Sequence, residues 1–337
     1  MEHIAIDLGG MESQICIRDS SGTILEERRH PTRTLGRYLK KRPTSRVVVE
    51  TCSEAFGIAD EAISLGHEVR VVPATLVRSL GVGHRGIKND ERDAQVLSEV
   101  SCRIDLPSVH IPSEESRRRK TMCGMREQLI SSRTSLINCV RGFLRSFAFR
   151  LRTGTTKTFP ERVRKCGLDI PNHVERLLVV IDELTKQIVE TDKELAELVK
   201  NDPLLTRLST CPGVGPVTAV RFTAAIDDVT RFKDAHHLES YLGLTPGEKQ
   251  SSGKHYRLGI TKAGSSAARR ALVQAAWATR RMRVVHPLVT WSLGIEERRG
   301  KFVAIVATAR KLAGILYAMW RDGTTYQANK GAAQPMS

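Results

Sequence analysis

The chain has 337 residues, 40% of them hydrophobic, which is apolar material for more than one core and excludes a wholly disordered polymer. Lys and Arg number 53 against 37 Asp and Glu, a net charge of +16; a surplus that large attracts polyanions, of which nucleic acid is the usual one. Seven scattered cysteines, none paired at metal-ligand spacing, argue against a disulfide framework and structural zinc and suit a reducing cytoplasm.

The opening MEHIAIDLGG lacks the basic start and long apolar run of a signal peptide. Later apolar stretches are broken by charge before the ~20 residues of a membrane span, so no membrane association is expected. His3 to Leu8 reads as a short apolar strand ending in Gly9-Gly10. Ser13 to Asp19 alternates, with Ile15 and Ile17 on one face. A Ser20-Ser21-Gly22 turn then leads into Thr23 to Arg28, completing a meander. Thr34 to Lys41 reads as a helix, Arg46 to Glu50 as a buried strand, Glu54 to Leu65 as a helix, Val69 to Pro73 as a strand and Asn89 to Cys102 as a helix. A meander followed by alternating helices and strands makes a mixed α/β sheet.

From Pro112 the character changes. Ser113 to Phe149 carries apolar residues at helical spacing and, on other faces, Arg126, Arg133, Arg141 and Arg145 as a basic strip for nucleic-acid backbone. Arg150 to Thr158 reads as a loop. Val174, Ile181, Ile188 and Leu195 recur every seven residues, with Leu177, Leu184 and Leu198 three places on; these a and d positions spell a coiled-coil helix ended by Pro203. A heptad seam needs a partner helix, and the same helix of another copy is the expected one. The remainder, to about Arg321, reads as helical with loops, and the end as a disordered tail. The expected domains are 1–112, a basic helical extension of it at 113–165, a coiled coil at 170–202, a helical domain at 204–322 and a tail at 323–337.

Four carboxylates stand out. Asp7 ends the first strand beside two glycines that leave room for a metal or phosphate; Glu50 ends the later buried strand; Asp90 and Asp93 open the following helix three residues apart, on one face. Converging, they make a cluster that is costly unless it holds hard cations, and two magnesium ions suit phosphodiester attack. Singly, each has a plainer reading: Asp90 and Asp93 as first-turn acids favoured by the helix dipole, Asp7 as a turn residue, Glu50 as a solvated acid. The same strand-Asp-x-Gly-Gly opening also begins sugar kinases and actin-like ATPases, but no second phosphate loop or glycine-rich adenosine pocket follows.

In the C-terminal half, LSTCPGVGPVTA from Leu208 has the form of a helix-hairpin-helix turn, in which Gly213 and Gly215 let backbone N–H groups approach a phosphate; a plain glycine turn between packed helices is the alternative. Ser251 and Ser252 fall in a loop among Lys249, Lys254, His255, Arg257 and Lys262. On chemistry alone, a serine there fits hydrogen bonding to a phosphate better than attack on it.

Together the segments AIDLGG, VVVETCSEAFGIAD, KNDERDAQVL, SSRTSLINCVRGFLRS, CPGVGPVTAVRF and YLGLTPGEKQSSGKHYRLGITKAGSSAARRALVQAAW resemble the DEDD-type transposases of bacterial insertion sequences, recombinases guided by a bridge RNA. The resemblance spans nearly the whole chain. It implies an RNase H-like (RuvC-like) domain with Asp7, Glu50, Asp90 and Asp93 as metal ligands, a coiled-coil connector and a helical transposase domain. It also implies that Ser251, fifth after Pro246, is a nucleophile forming a phosphoserine link, with Ser252 its neighbour. Its implied partners are donor and target DNA, an element-encoded bridge RNA, and further copies of the chain as a dimer or tetramer. The alternatives are a metal-dependent junction-resolving nuclease that uses water, and an actin-like ATPase or kinase.

Overall fold

The computed structural model describes residues 1–79, 90–251, 254–282 and 286–328. They form two compact units, Met1–Pro112 and Ser113–Ser337.

The first unit is built on a five-stranded sheet in the order β3-β2-β1-β4-β5, where β1 is His3–Asp7, β2 Glu12–Arg18, β3 Ile24–Pro31, β4 Arg46–Glu50 and β5 Glu68–Val72. The first three strands form the expected antiparallel meander, and β4 and β5 run parallel to β1. Alternation of apolar residues divides the sheet between two cores. Ile4, Ile6, Ile15, Ile17, Val47, Val49 and Val71 face α1 (Leu35–Leu39) and α2 (Ala55–Ser64). Ala5, Val48 and Val72 face the opposite way and meet Leu97 and Leu106. A short α3 (Ala74–Ser79) follows β5, and α4 (Asp90–Arg103) covers β1 and β2 on the Ala5 side. A mixed α/β unit with this sheet is consistent with an RNase H-like fold.

The second unit begins with α5 (Glu114–Ser146), capped by Ser113, whose hydroxyl accepts from the Ser116 N–H. The sequence attached this helix to the first domain. It packs instead on α7 (Asn172–Asn201) and α9 (Pro216–Ile226) of the second unit. A short α6 (Phe159–Arg164) lies between α5 and α7, burying Phe159 and Val163 in the core that Ile137, Val140 and Leu144 of α5 share with Val174, Leu178 and Ile181 of α7. Further along the pair, Cys123 shares a core with Leu195 and Val199. The two helices therefore run antiparallel with heptad spacing on both. The seam on α7 uses Leu178 and Val199 where the sequence suggested Leu177 and Leu198. Leu177 to Ile181 is an unbroken apolar run, so its own spacing leaves the d position free to shift by one, and the partner α5 decides it. The seam is filled from within the chain, so it does not by itself require a second copy.

Pro203 ends α7 and opens α8 (Pro203–Leu208), with the Asp202 carboxylate accepting from the Leu204 and Leu205 N–H groups. Next come α10 (Ala235–Tyr241), a two-stranded ribbon of β6 (Pro246–Ser251) and β7 (Lys254–Ile260), and α11 (Ser266–Arg280), α12 (Pro287–Arg299) and α13 (Lys301–Arg321). The ribbon stands where the sequence suggested only loop. Helix α13 is long and apolar enough to cross a membrane, but Ile305, Ala309, Leu312, Ala313 and Leu316 lie in the core of this unit. The tail is ordered further than expected: the Tyr326 N–H donates to Thr210 Oγ1 at 2.9 Å and its ring stacks on His286 at 5.6 Å. Residues 329–337 lie outside the described residues.

Candidate metal centre and serine hairpin

The first unit carries its acids at one end of one sheet face. Asp7 and Glu50 are the last residues of β1 and β4, and Ile6 pairs with Val49 in the ladder between those strands, so the two acids take the next rung. Neighbouring strands there lie about 4.8 Å apart. Both residues alternate with Ala5 and Val48 and so share the face covered by α4. The direction of α4 follows from its contacts. The Ser101 hydroxyl lies 2.8 Å from His3 Nδ1 at the start of β1, and Leu97 packs with Ala5 midway. Going back toward the helix N-terminus therefore reaches the Asp7 end, and there stands Asp93, 7% exposed. Asp90 opens the same helix; its side chain lies outside the described residues. Among the described residues, no group of three or more His, Cys, Asp or Glu side chains closes to metal-binding distance.

The turn after Asp7 is tightly specified. A Cβ on Gly9 would stand 2.2 Å from the Glu12 carbonyl oxygen, so only glycine fits. The Thr32 hydroxyl donates to the Gly9 carbonyl at 2.7 Å and also meets the Ser13 hydroxyl at 2.8 Å, tying the start of β2 to the end of β3. On β2, Gln14 is the ladder partner of Asp7. It is 6% exposed, and its Oε1 has no hydrogen-bond partner among the described residues. An all-oxygen donor set with an unpartnered buried carbonyl oxygen beside it fits a hard divalent cation such as Mg2+. Sequence reading passed over Gln14 because it attended to Ile15 and Ile17; the signal was the polar residue on the opposite parity of the same strand.

In the second unit Ser251 is the last residue of β6 and pairs with Lys254 across the hairpin end, so it sits at a ribbon tip and not in a free loop. Ser252 lies outside the described residues. The root of this ribbon is locked. A Cβ on Gly243 would stand 2.3 Å from the Ala263 nitrogen, and one on Gly264 2.2 Å from the Tyr241 carbonyl oxygen; both glycines have positive φ. Lys262, exposed, also has a positive φ of 58°, and its N–H donates to the Gly243 carbonyl at 3.1 Å. Arg269 donates to the carbonyls of Leu242, at 3.0 Å, and of Ala263, clamping the crossing. Lys254 and Arg257 lie on β7, pairing with Ser251 and Glu248.

The glycine turn between α8 and α9 has two different glycines. Gly213, with φ 81°, packs against α11: a Cβ there would stand 2.3 Å from Thr279 Oγ1 and 2.4 Å from the Ala275 carbonyl oxygen. The Thr279 hydroxyl also donates to the Pro212 carbonyl at 2.9 Å. Its glycine is thus required by helix packing, which is the plainer of the two sequence readings. Gly215, by contrast, is the exposed N-cap of α9, with open space where its Cβ would be.

The four arginines of α5 also divide. Arg126 and Arg133 occupy seam positions. The Arg126 guanidinium donates to Asp192 at 2.6 Å and Arg133 to the Thr185 hydroxyl at 3.3 Å. Burial, aided by Arg126 two turns back along the helix, holds Arg133 below its usual pKa, so as a pair they are turned to α7 and away from the solvent strip the sequence suggested. Arg141 and Arg145 are exposed, Arg141 lying 5.6 Å over the Phe159 ring.

Comparison with known proteins agrees across both units. Residues 4–149 match a transposase model of the DEDD IS110 type, and residues 205–288 match the model described as the transposase IS116/IS110/IS902 family. A protein of Sinorhizobium fredii described as a transposase is 31% identical, with 90% of this chain and 79% of that protein aligned. The transposase for insertion sequence element IS1328 of Yersinia enterocolitica is 28% identical over 96% of this chain and 98% of its own length. That of IS1111A from Coxiella burnetii is 26% identical over 96% and 91%. With a mixed α/β unit carrying acids at its strand ends and a helical unit carrying a serine hairpin, the chain belongs to the IS116/IS110/IS902 family of insertion-sequence transposases, enzymes that cut and transfer DNA.

Proposed function

We propose that this transposase cuts and rejoins DNA through a phosphoserine link, directed to its sites by an RNA encoded in its own element and acting in the cytoplasm as a dimer or tetramer. The observation that carries the reading is the register of the first sheet: Asp7 and Glu50 on adjoining strand ends, on the face where the first turn of α4 brings Asp93. Asp7, Glu50, Asp90 and Asp93 would hold Mg2+, as a two-ion site. When bound, the ions supply charge to stabilise the phosphorane-like transition state.

The residues do the rest. The Ser251 hydroxyl oxygen attacks the scissile phosphorus, a serine O–P bond forms, the P–O bond to the leaving sugar breaks, and the hydroxyl proton passes to the released sugar oxygen. Attack by the hydroxyl of a second strand reverses these steps and frees Ser251, so the diester energy is conserved and no nucleotide cofactor is consumed. The rigid root of the β6/β7 ribbon supports this role, since a nucleophile must be held in a near-attack geometry. Arg141, Arg145, Lys254, Arg257, Lys262 and the exposed N-terminal turn of α9 at Gly215 would contact backbone phosphates.

The test uses a plasmid carrying the element with its flanking DNA, incubated with purified chain and the transcript of the element's own non-coding ends. Asp7→Asn and Glu50→Gln each abolish strand cleavage while the melting temperature is kept, and EDTA abolishes it in the wild type. Cleavage at the wild-type rate by either variant, or in EDTA, overturns the metal assignment. Cleavage that proceeds without the transcript overturns the RNA guidance.

A further inference from the structure

The rung that holds Asp7 continues across the sheet. Asp7 pairs with Gln14 on β2, and Gln14 pairs with Arg29 on β3. Two residues along from Gln14, Cys16 receives a hydrogen bond from Ser98 of α4 at 3.1 Å, which fixes this parity of β2 on the α4 side. Above the neighbouring strand, Gln95 of α4 donates to Glu27 of β3 at 2.6 Å. Gln14 therefore lies under the first turns of α4, on the same face and the same rung as Asp7, with Glu50 on the next strand beyond.

A buried carboxamide normally finds partners, because an unmet polar atom costs the full desolvation of that group. Here a residue 6% exposed keeps an oxygen without a partner among the described residues. A leucine or methionine would fill the same volume without that cost. An oxygen kept in this place is explained by a cation or its bound water beside Asp7. A neutral carbonyl oxygen also suits the site electrostatically: it completes a hard-ion shell of six or more oxygens without adding a further negative charge to a crowded set of carboxylates.

We propose that Gln14 is a neutral oxygen donor to the divalent cation held at Asp7, either bonding it directly or accepting from its bound water. This rests on the reading of Asp7 and Glu50 as metal ligands. On that reading Gln14 is a positioning residue that sets metal affinity and the placement of the ion against the rung.

The experiment measures Mn2+ binding to the full chain by calorimetry, with Mg2+ competition and metal-free melting curves as further readouts. The variants are Asp7→Asn, Gln14→Leu and Gln14→Glu. The proposal expects Gln14→Leu to weaken Mn2+ binding by roughly tenfold or more, the usual effect of removing an outer-shell partner, while the metal-free melting temperature is held or raised. Gln14→Glu, which keeps an oxygen in place, retains or tightens binding. If Gln14→Leu binds Mn2+ as the wild type does, the inference is overturned while the reading of Asp7 stands, provided Asp7→Asn has lost binding. If Asp7→Asn also binds as the wild type does, the reading of the carboxylates falls and the inference with it. A Gln14→Leu variant that melts lower and is rescued in melting, but not in Mn2+ affinity, by Gln14→Glu marks a purely structural glutamine and overturns the proposal.

Discussion

The four arginines of α5 should separate cleanly in salt-dependence measurements. Each phosphate contact removed makes the slope of log affinity against log salt less negative by about 0.9 on duplex DNA and about 0.7 on a single strand. Arg141→Gln with Arg145→Gln removes two exposed guanidinium groups, so the slope should relax by roughly 1.4 to 1.8. Between 50 and 200 mM salt, that difference makes the double variant lose about seven- to twelvefold less affinity than the wild type does. Arg126→Gln with Arg133→Gln removes the seam contacts to Asp192 and Thr185. The Asp192 side chain is 44% exposed and stays solvated, so the loss is on the order of 1 kcal/mol for that pair. The seam double variant should therefore melt a few degrees lower with an unchanged salt slope. The assay is fluorescence anisotropy with one labelled single strand and one duplex, across five salt concentrations, beside thermal melts of both variants. A relaxed slope for the seam pair, or an unchanged slope for the exposed pair, refutes the division.

Three further outcomes follow from the packing and the titrating groups. Ile181→Ala, at a fully buried seam position, should cost about 2–5 kcal/mol, whereas Val180→Ala, 46% exposed, should change the denaturation midpoint little. Gly213→Ala should lower stability by more than ~1 kcal/mol, because the new methyl group meets Thr279 and Ala275 and the φ is positive; Gly215→Ala, with open space at its Cβ, should melt close to the wild type. Burial pushes the Cys211 thiol up to about 12. The folded chain thus keeps that proton while the unfolded chain loses it above about pH 9, so this thiol lowers stability as pH rises from 9 toward 12. Iodoacetamide at pH 8 should label exposed Cys139 and spare Cys211; rapid labelling of Cys211 would contradict its placement.

The first sheet was legible because its strands carry strong local signals. Arg46 to Glu50 was bounded as the structure has it, since a run of three valines between charged residues has few other readings. The acids at the strand ends were legible for the same reason, each ending an apolar run. The β6/β7 ribbon was hidden because its described apolar side chains are solvated: Tyr256 and Leu258 are 52% and 53% exposed, so among the described residues no buried apolar alternation marks the strand, and the cations around the serines read as loop. The partner of α7 was hidden by chemistry. The matching heptad on α5 includes Cys123, Arg126, Arg133, Ile137, Val140 and Leu144, and two arginines in a seam look like a solvent face until Asp192 and Thr185 are seen opposite them. Gln14 stood in the strand as a polar residue of the buried parity, but its place beside Asp7 did not, because pairing across a sheet is not written in the local sequence.

The most direct test of the account traps the protein on its DNA. The full chain is incubated with the element plasmid, the transcript of the element's own non-coding ends and Mg2+, quenched in denaturant, and digested for mass spectrometry. A denaturant-resistant protein–DNA adduct is expected, with the phosphate on Ser251. It is lost in Ser251→Ala, kept in Ser252→Ala, and lost in Asp7→Asn. Cleaved strands with free phosphate ends and no adduct, at the same level in Ser251→Ala as in the wild type, would instead make water the nucleophile and contradict the central claim.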